Sequence, residues 1–354
     1  MVELSEFCKL LPKVELHAHL NGSLSCQTIE KLVAYHTKMW PDEPMPAGSD
    51  TLIEAGKKGS FDDPFRMFSL VHSITDNVWA VGEAMKDVIE EFADDGVIYL
   101  EIRTTPRRVA GRMEKEEYCR AVLDQIVKSR LTFPQIIVKL IIAVDRRLMQ
   151  DFEEHIQLYN FLQKDYPGQV VGIDISGDPR QGNIIQIIPR MQELRNEGIR
   201  FSVHLAEVFN KQETLEFLEF GPDRIGHGTC IHPSLGGCSE LWDKLESSSI
   251  PVEVCMTSNV ICNSVPSYAQ HHAGLLHNKV PFILCTDDKG VFSCSLSGEY
   301  RLAGEAFGWD SEKLFRVASK AVNYIFSGEE EKEMLKITFT EWRMKNADFF
   351  NSKP

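Results

Sequence analysis

Histidines and carboxylates recur in this chain at the ends of short apolar runs. His17 and His19 lie in VELHAHL (14–20), His204 and Glu207 in RFSVHLAE (200–207), His227 in RIGHG (224–228), and Asp287 and Asp288 end PFILCTDD (281–288). Zinc takes imidazole nitrogens and carboxylate oxygens, and a catalytic zinc site keeps a position for water. His17 and His19 are two residues apart, so on a strand both project to one face. His204 and Asp287 would complete a set of three imidazoles and one carboxylate. Taken one at a time, these residues have plainer explanations. H-x-H can be two satisfied core histidines, Glu207 the capping or salt-bridging carboxylate of a following helix, and His227 a core histidine. Taken together they favour a metal-activated water. Glu207 is then a candidate proton donor if burial raises its pKa. His227, between Gly226 and Gly228, is a candidate to orient the water or accept its proton. Paired carboxylates at a metal commonly divide the labour, one ligating and one hydrogen-bonding the water or ligand, which suits Asp287 and Asp288. The run VVGIDIS (170–176) ends at Ser176-Gly177 and offers no lysine that could be carbamylated to bridge two ions, which favours one metal per chain.

Those residues need a scaffold that gathers strand ends. Eight β-branched-rich runs occur, the others being VIYLEIRTT (97–105), IIVKLIIAVD (136–145) and PVEVCMTSN (251–259). Near-continuous apolar runs are the mark of parallel strands buried on both faces. Amphipathic stretches such as VGEAMKDVIEEFADD (81–95) and QIIPRMQELRNEG (186–198), the latter ending at Gly198 as a helix C-cap, alternate with them. Eight strands alternating with helices predict a single α/β domain over residues 1–354, a (β/α)8 TIM barrel, with its active site at the C-terminal mouth. A doubly wound sheet is disfavoured because no G-x-G-x-x-G follows the first strand. About 80 residues separate Val14 from Val97, roughly twice any other spacing. This insertion, about 25–80, holds the loop PDEPMP (41–46) and a predicted helix FRMFSLVHSI (65–74), and is a candidate lid over the mouth. The tail after 296 is expected to form extra helices.

Composition narrows the function further. The 354 residues are 43% apolar and 25% charged, ordinary for a globular enzyme. Thirty-eight basic against 52 acidic residues leave a net charge of −14, which repels phosphate backbones and argues against nucleic-acid binding. Nine cysteines without a C-x-x-C suit a reducing compartment. No signal peptide is apparent, and IIVKLIIAV (136–144) is too short to span a bilayer. The expectation is a cytosolic protein without membrane contacts, and a monomer, since no heptads occur. Against the acidic background stand two arginine pairs, Arg107-Arg108 and Arg146-Arg147, after adjacent strands. Guanidinium forks bind phosphate bidentately, so a substrate with an anionic group is expected, unless these arginines pair with local acids.

The motifs HAHLNGS, SGD, HLAE, GHG and CTDDKG, in that order, resemble the adenosine/AMP deaminase family of zinc barrels over almost the whole chain. Adenosine deaminase itself typically reads HAHLDG, SGDE, HAGE and TDDP, where this chain reads HAHLNG, SGDP, HLAE and TDDK. With TTPRR (104–108) and AVDRR (143–147), the pattern is most similar to the family's adenosine deaminase-like branch. The resemblance implies one zinc ion held by His17, His19, His204 and Asp287. It implies catalysis by Glu207, protonating purine N1, and by His227, orienting the zinc hydroxide that adds at C6. It implies substrate contacts from His19, Asn21, His72, Thr104, Thr105, Pro106, Arg107, Asp145, Gly177 and Asp288, with Gly177 at the purine N3 edge and Asp145 suited to a ribose hydroxyl. The implied reaction converts N6-methyl-AMP to IMP and methylamine. The alternatives are deamination of free adenosine, or a catalytically silent purine-nucleotide-binding protein.

Overall fold

In the computed structural model, which describes residues 4–46, 48–57 and 66–351, eight parallel strands follow one another round a single sheet in sequence order. They are β1 (Lys13–His19), β2 (Val97–Thr104), β3 (Ile137–Asp145), β4 (Val170–Ser176), β5 (Phe201–Leu205), β6 (Arg224–His227), β7 (Val252–Val254) and β8 (Phe282–Leu284). The ring closes where Ala18 bridges Asp287: the His19 N–H donates to the Asp287 carbonyl at 3.1 Å, and the Asp287 N–H to that of His17 at 2.8 Å. This is the predicted (β/α)8 barrel. Its strands are buried, and apolar residues such as Val14, Leu16, Leu100, Ile142 and Val203 alternate in them with buried charges, among them Glu15, Glu101, Arg103, Asp174 and Glu253.

Two strands are shorter than their apolar runs. PVEVCMTSN was expected to remain extended to 259, but only Val252–Val254 pair, and a helix runs over Met256–Ile261. The backbone N–H and hydroxyl of Thr257 donate to the Glu299 carboxylate, so a residue distant in sequence caps that helix. Strand β8 stops at Leu284, and Asp287 adopts a left-handed φ of 63°. Asp287 and Asp288 therefore both reach the mouth from an irregular segment.

Helices Cys26–Met39, Ser49–Lys57, Arg66–Ile74 and Val78–Asp94 occupy the long β1–β2 connection. The third coincides with the expected helix 65–74 except at Phe65, which lies outside the described residues. PDEPMP forms no regular element. Helix Ile188–Asn196 stops just before Gly198, whose φ of 96° fits the expected turn. After β8 come helices Leu296–Phe307, Ser311–Ala321 and Glu329–Lys345. Among the described residues no helix is long and apolar enough to cross a membrane.

Candidate active site

The mouth of the barrel gathers His17, His19, His204 and Asp287 so that one donor atom from each lies within 4.8 Å of the others. His17 and His204 present Nε2 inward, because each Nδ1 is engaged from behind: His17 by Glu253 Oε2 at 2.6 Å, His204 by Asp174 Oδ1 at 3.2 Å. A neutral ring that donates through Nδ1 leaves a lone pair on Nε2. The Nε2 of His17 is fully buried with no hydrogen-bond partner, and that of His204 lies 3.2 Å from Nε2 of His19. Asp287 Oδ1 lies 3.4 Å from His17 Nε2 and 3.3 Å from His19 Nε2, while its Oδ2 accepts from the Ser258 hydroxyl at 2.7 Å. Convergent, unsatisfied lone pairs in a buried site are costly unless a cation joins them, so the donor set fits a divalent metal of zinc's preferences.

Two glycines make this approach possible. A Cβ on Gly226 would sit 2.9 Å from His17 Cε1 and 3.3 Å from the His204 ring, so β6 can lie against both imidazoles only with glycine there. Gly228 leaves ordinary room at its Cβ, and what it supplies is a φ of +62°.

Glu207 lies beyond β5, past Ala206 with its left-handed φ of 54°. It does not cap the next helix. That helix begins at Lys211, and its cap is Asn210, whose side chain accepts from the Glu213 N–H at 3.2 Å. Burial raises the Glu207 carboxyl pKa to about 7. His227, also left-handed at φ 62°, sets Nε2 3.8 Å from Glu207 Oε2 and 3.9 Å from Asp287 Oδ2. A non-glycine residue held there costs about 1–2 kcal/mol, and that strain falls on two of the residues with proposed roles, His227 and Asp287. Burial holds the His227 pKa well below the usual imidazole value, so the ring is neutral. Asn259 Nδ2 lies 3.0 Å from His227 Nδ1 and donates to it, which puts the ring proton on Nε2, toward the two carboxylates. Asp288 is buried, and burial followed by the charge of Asp287 raises its pKa well above the carboxylate range. Its Oδ1 has no partner, and a Cβ on Gly22 would overlap it at 1.6 Å. The glycine of HAHLNG thus vacates the space that the second aspartate of CTDD fills.

The remaining candidates ring the opening. Thr104 is buried, its hydroxyl 2.6 Å from that of Tyr118, which Asn21 also bonds. Thr105 is half-buried and Pro106 is buried. Asp145 lies against Gly177, which has φ +107°.

The four arginines separate by their partners: three pair with local acids, the plainer alternative, and one does not. Arg108 is exposed and pairs with Glu114 at 2.5 Å. Arg146 is buried in a two-pronged bond to Glu213, at 2.7 and 3.2 Å. Arg147, at the rim, donates to Asp145 at 2.9 Å, so the carboxylate expected at a ribose hydroxyl already has a cationic partner. Arg107 alone has no carboxylate within ion-pair distance among the described residues. It donates to the carbonyl and hydroxyl of Thr75, and its buried Nε has no partner. His72 is exposed at the same rim, and its pKa is lowered by its surroundings and by Arg107 and Arg147.

The residues to which sequence reasoning gave no role are those behind the site: Asp174 and Glu253 against the histidines, Ser258 against Asp287, and Asn259 against His227. A visible signal existed for the first two, since a charge within a buried apolar strand must find a partner.

Comparison with known proteins agrees with this geometry. The Adenosine deaminase family model matches residues 12–342. The chain is 39% identical to N6-Methyl-AMP deaminase of Danio rerio, over 97% of this chain and 98% of that one. It is 40% identical to N6-Methyl-AMP deaminase of Homo sapiens, over 94% and 93%. The crystal structure of Arabidopsis ADAL complexed with IMP superposes with a TM-score of 0.83 at 34% identity, covering 95% of this chain and 98% of the other. A match across nearly the whole barrel, with every motif on the same mouth, makes this chain a member of the adenosine deaminase family.

Proposed function

We propose that the protein is a zinc-dependent hydrolase of 6-substituted purine nucleotides, converting N6-methyl-AMP and water to IMP and methylamine. The curated relatives are named for that substrate, and the barrel mouth carries the groups such a reaction needs. When bound by His17, His19, His204 and Asp287, one zinc ion supplies a Lewis acid that lowers the pKa of water toward about 7.

The chain's own residues do the rest. Glu207, protonated near neutrality because it is buried, delivers its proton to purine N1 and makes C6 electrophilic. His227 offers its Nε2–H to the attacking oxygen, held in that tautomer by Asn259. Asp288, with its free Oδ1, accepts a hydrogen bond from the bound substrate. Asn21, Thr104, Thr105, Pro106, Asp145 and Gly177 line the path toward the sugar, and the β1–β2 insertion acts as the lid.

The observation that carries the nucleotide reading is Arg107, a half-buried guanidinium at the mouth with no carboxylate partner and an unbonded Nε. Such a group calls for an anion, and charge-assisted bonds to phosphate contribute about 1.5–3 kcal/mol. Arg107→Ala is therefore expected to lower kcat/KM on N6-methyl-AMP by about 10- to 100-fold. Activity on N6-methyladenosine should stay nearly unchanged, since the nucleoside has nothing for Arg107 to hold. Steady-state kinetics on the two substrates checks this. Equal losses on both would make Arg107 a prop for Thr75 instead of a phosphate ligand.

A further inference from the structure

Directly beneath the mouth lies a layer of buried charge. Arg103 of β2, Asp174 of β4 and Glu253 of β7 are all fully buried. Arg103 Nη1 donates to Asp174 Oδ1 at 3.0 Å, and Nη2 to Glu253 Oε2 at 2.9 Å. The same two oxygens accept from the histidines: Asp174 Oδ1 from His204 Nδ1, and Glu253 Oε2 from His17 Nδ1. Arg103 Nη2 also donates to the carbonyl of Leu16, next to His17 in β1. One guanidinium thus pins both carboxylates, and each carboxylate pins one imidazole, across five strands of the barrel.

We infer that Arg103, Asp174 and Glu253 form one positioning unit that fixes the tautomer and aim of His17 and His204 and thereby sets the affinity of the site for zinc. This rests on the metal-binding reading above. The physical reason is that a carboxylate accepting from Nδ1 fixes the ring proton there, locks ring rotation and makes Nε2 a better donor to a cation. Charge balance inside the barrel does not by itself require the histidines. Immediately below, Glu101 pairs with Arg224 at 2.7 Å and accepts from the Tyr99 hydroxyl at 2.7 Å; Arg224 also donates to Glu253 Oε1 at 2.5 Å, but none of these three bonds to His17 or His204. Glu101 is therefore an internal control one guanidinium removed from the unit: a buried carboxylate that shares Arg224 with Glu253 but holds no imidazole.

The experiment is zinc affinity by competition with a chelator, on the full chain, for wild type, Asp174→Asn, Glu253→Gln and Glu101→Gln, with circular dichroism to confirm folding. Asp174→Asn and Glu253→Gln should each weaken zinc binding by about 10- to 100-fold. Glu101→Gln should lower the thermal midpoint and leave zinc affinity as in wild type. Wild-type affinity in both of the first two variants, or an equal loss in Glu101→Gln, overturns the proposal. A second measurement holds even if a variant does not fold. In zinc-free wild type, nitrogen-15 NMR of labelled histidine should find His17 and His204 protonated on Nδ1, and a neutral ring protonated on Nε2 alone at either position overturns it. If wild type binds no zinc, the functional reading falls, while the tautomer measurement still decides on the positioning unit.

Discussion

His19→Ala is expected to abolish stoichiometric zinc binding and, with it, to lower turnover of every purine substrate by several orders of magnitude. The expectation follows from the donor set. Removing His19 takes one imidazole from a cradle of four converging donors and leaves a gap where its ring stood, so the remaining His17, His204 and Asp287, placed for a four-donor site, hold the ion and its water poorly. Without the ion, water returns from a pKa near 7 toward that of bulk, about 15.7, and ceases to be a competent nucleophile at neutral pH. His19 is a better probe than His17. Its side chain is 21% exposed, whereas His17 is fully buried and its removal would also open a cavity beside Glu253 in the barrel interior. Metal analysis of the purified variant beside a turnover assay checks the prediction. Full zinc with near-normal turnover would show that the ligand set is wrongly assigned.

Glu207→Gln is expected to keep zinc and lose about 10²- to 10⁴-fold in kcat, the usual range for a general acid or base. Glutamine preserves shape and can still hydrogen-bond, but it cannot deliver a proton. The pH dependence has a definite sign. Burial raises the Glu207 pKa to about 7, so the proton-donating form prevails below that value and is lost above it. Wild-type turnover should therefore fall as pH rises through about 7, and that alkaline limb should vanish in Glu207→Gln. A variant within a few-fold of wild type, or one that keeps the limb, would remove Glu207 from proton transfer.

The barrel was legible because parallel strands covered on both faces are written as continuous apolar runs, and because polar residues collect where those runs stop. Asp287 could be placed beside strand one from strand order alone, and the Ala18–Asp287 bridge joins them. The end of the seventh run was not legible. MTSN looks extended in isolation, yet Glu299, some 40 residues onward, takes the Thr257 N–H and hydroxyl and starts a helix. That turn brings Ser258 to Asp287 and Asn259 to His227. The arginines were ambiguous for the same reason. Arg146 and Arg147 are alike in sequence, and only the fold brings Glu213 to the first and turns the second back on Asp145. Pairings across the barrel, such as Arg103 with Asp174 and Glu253, leave a trace as single charges in apolar strands, but one dimension does not say which charge meets which.

The central claim is that this site deaminates a nucleotide and uses the phosphate to do so. It is tested most directly by kcat/KM on four substrates under one set of conditions: N6-methyl-AMP, AMP, N6-methyladenosine and adenosine. The protein's net charge of −14 works against any anion, but its field is screened beyond about 8 Å at physiological salt, whereas contacts at the mouth are not. A charge-assisted contact from Arg107 to the phosphate would favour the nucleotide by about 10- to 100-fold. The predicted result is that N6-methyl-AMP is turned over far better than N6-methyladenosine, with IMP and methylamine as products. Equal processing of nucleoside and nucleotide, or turnover of adenosine alone, would contradict the account and make Arg107 an ordinary surface charge.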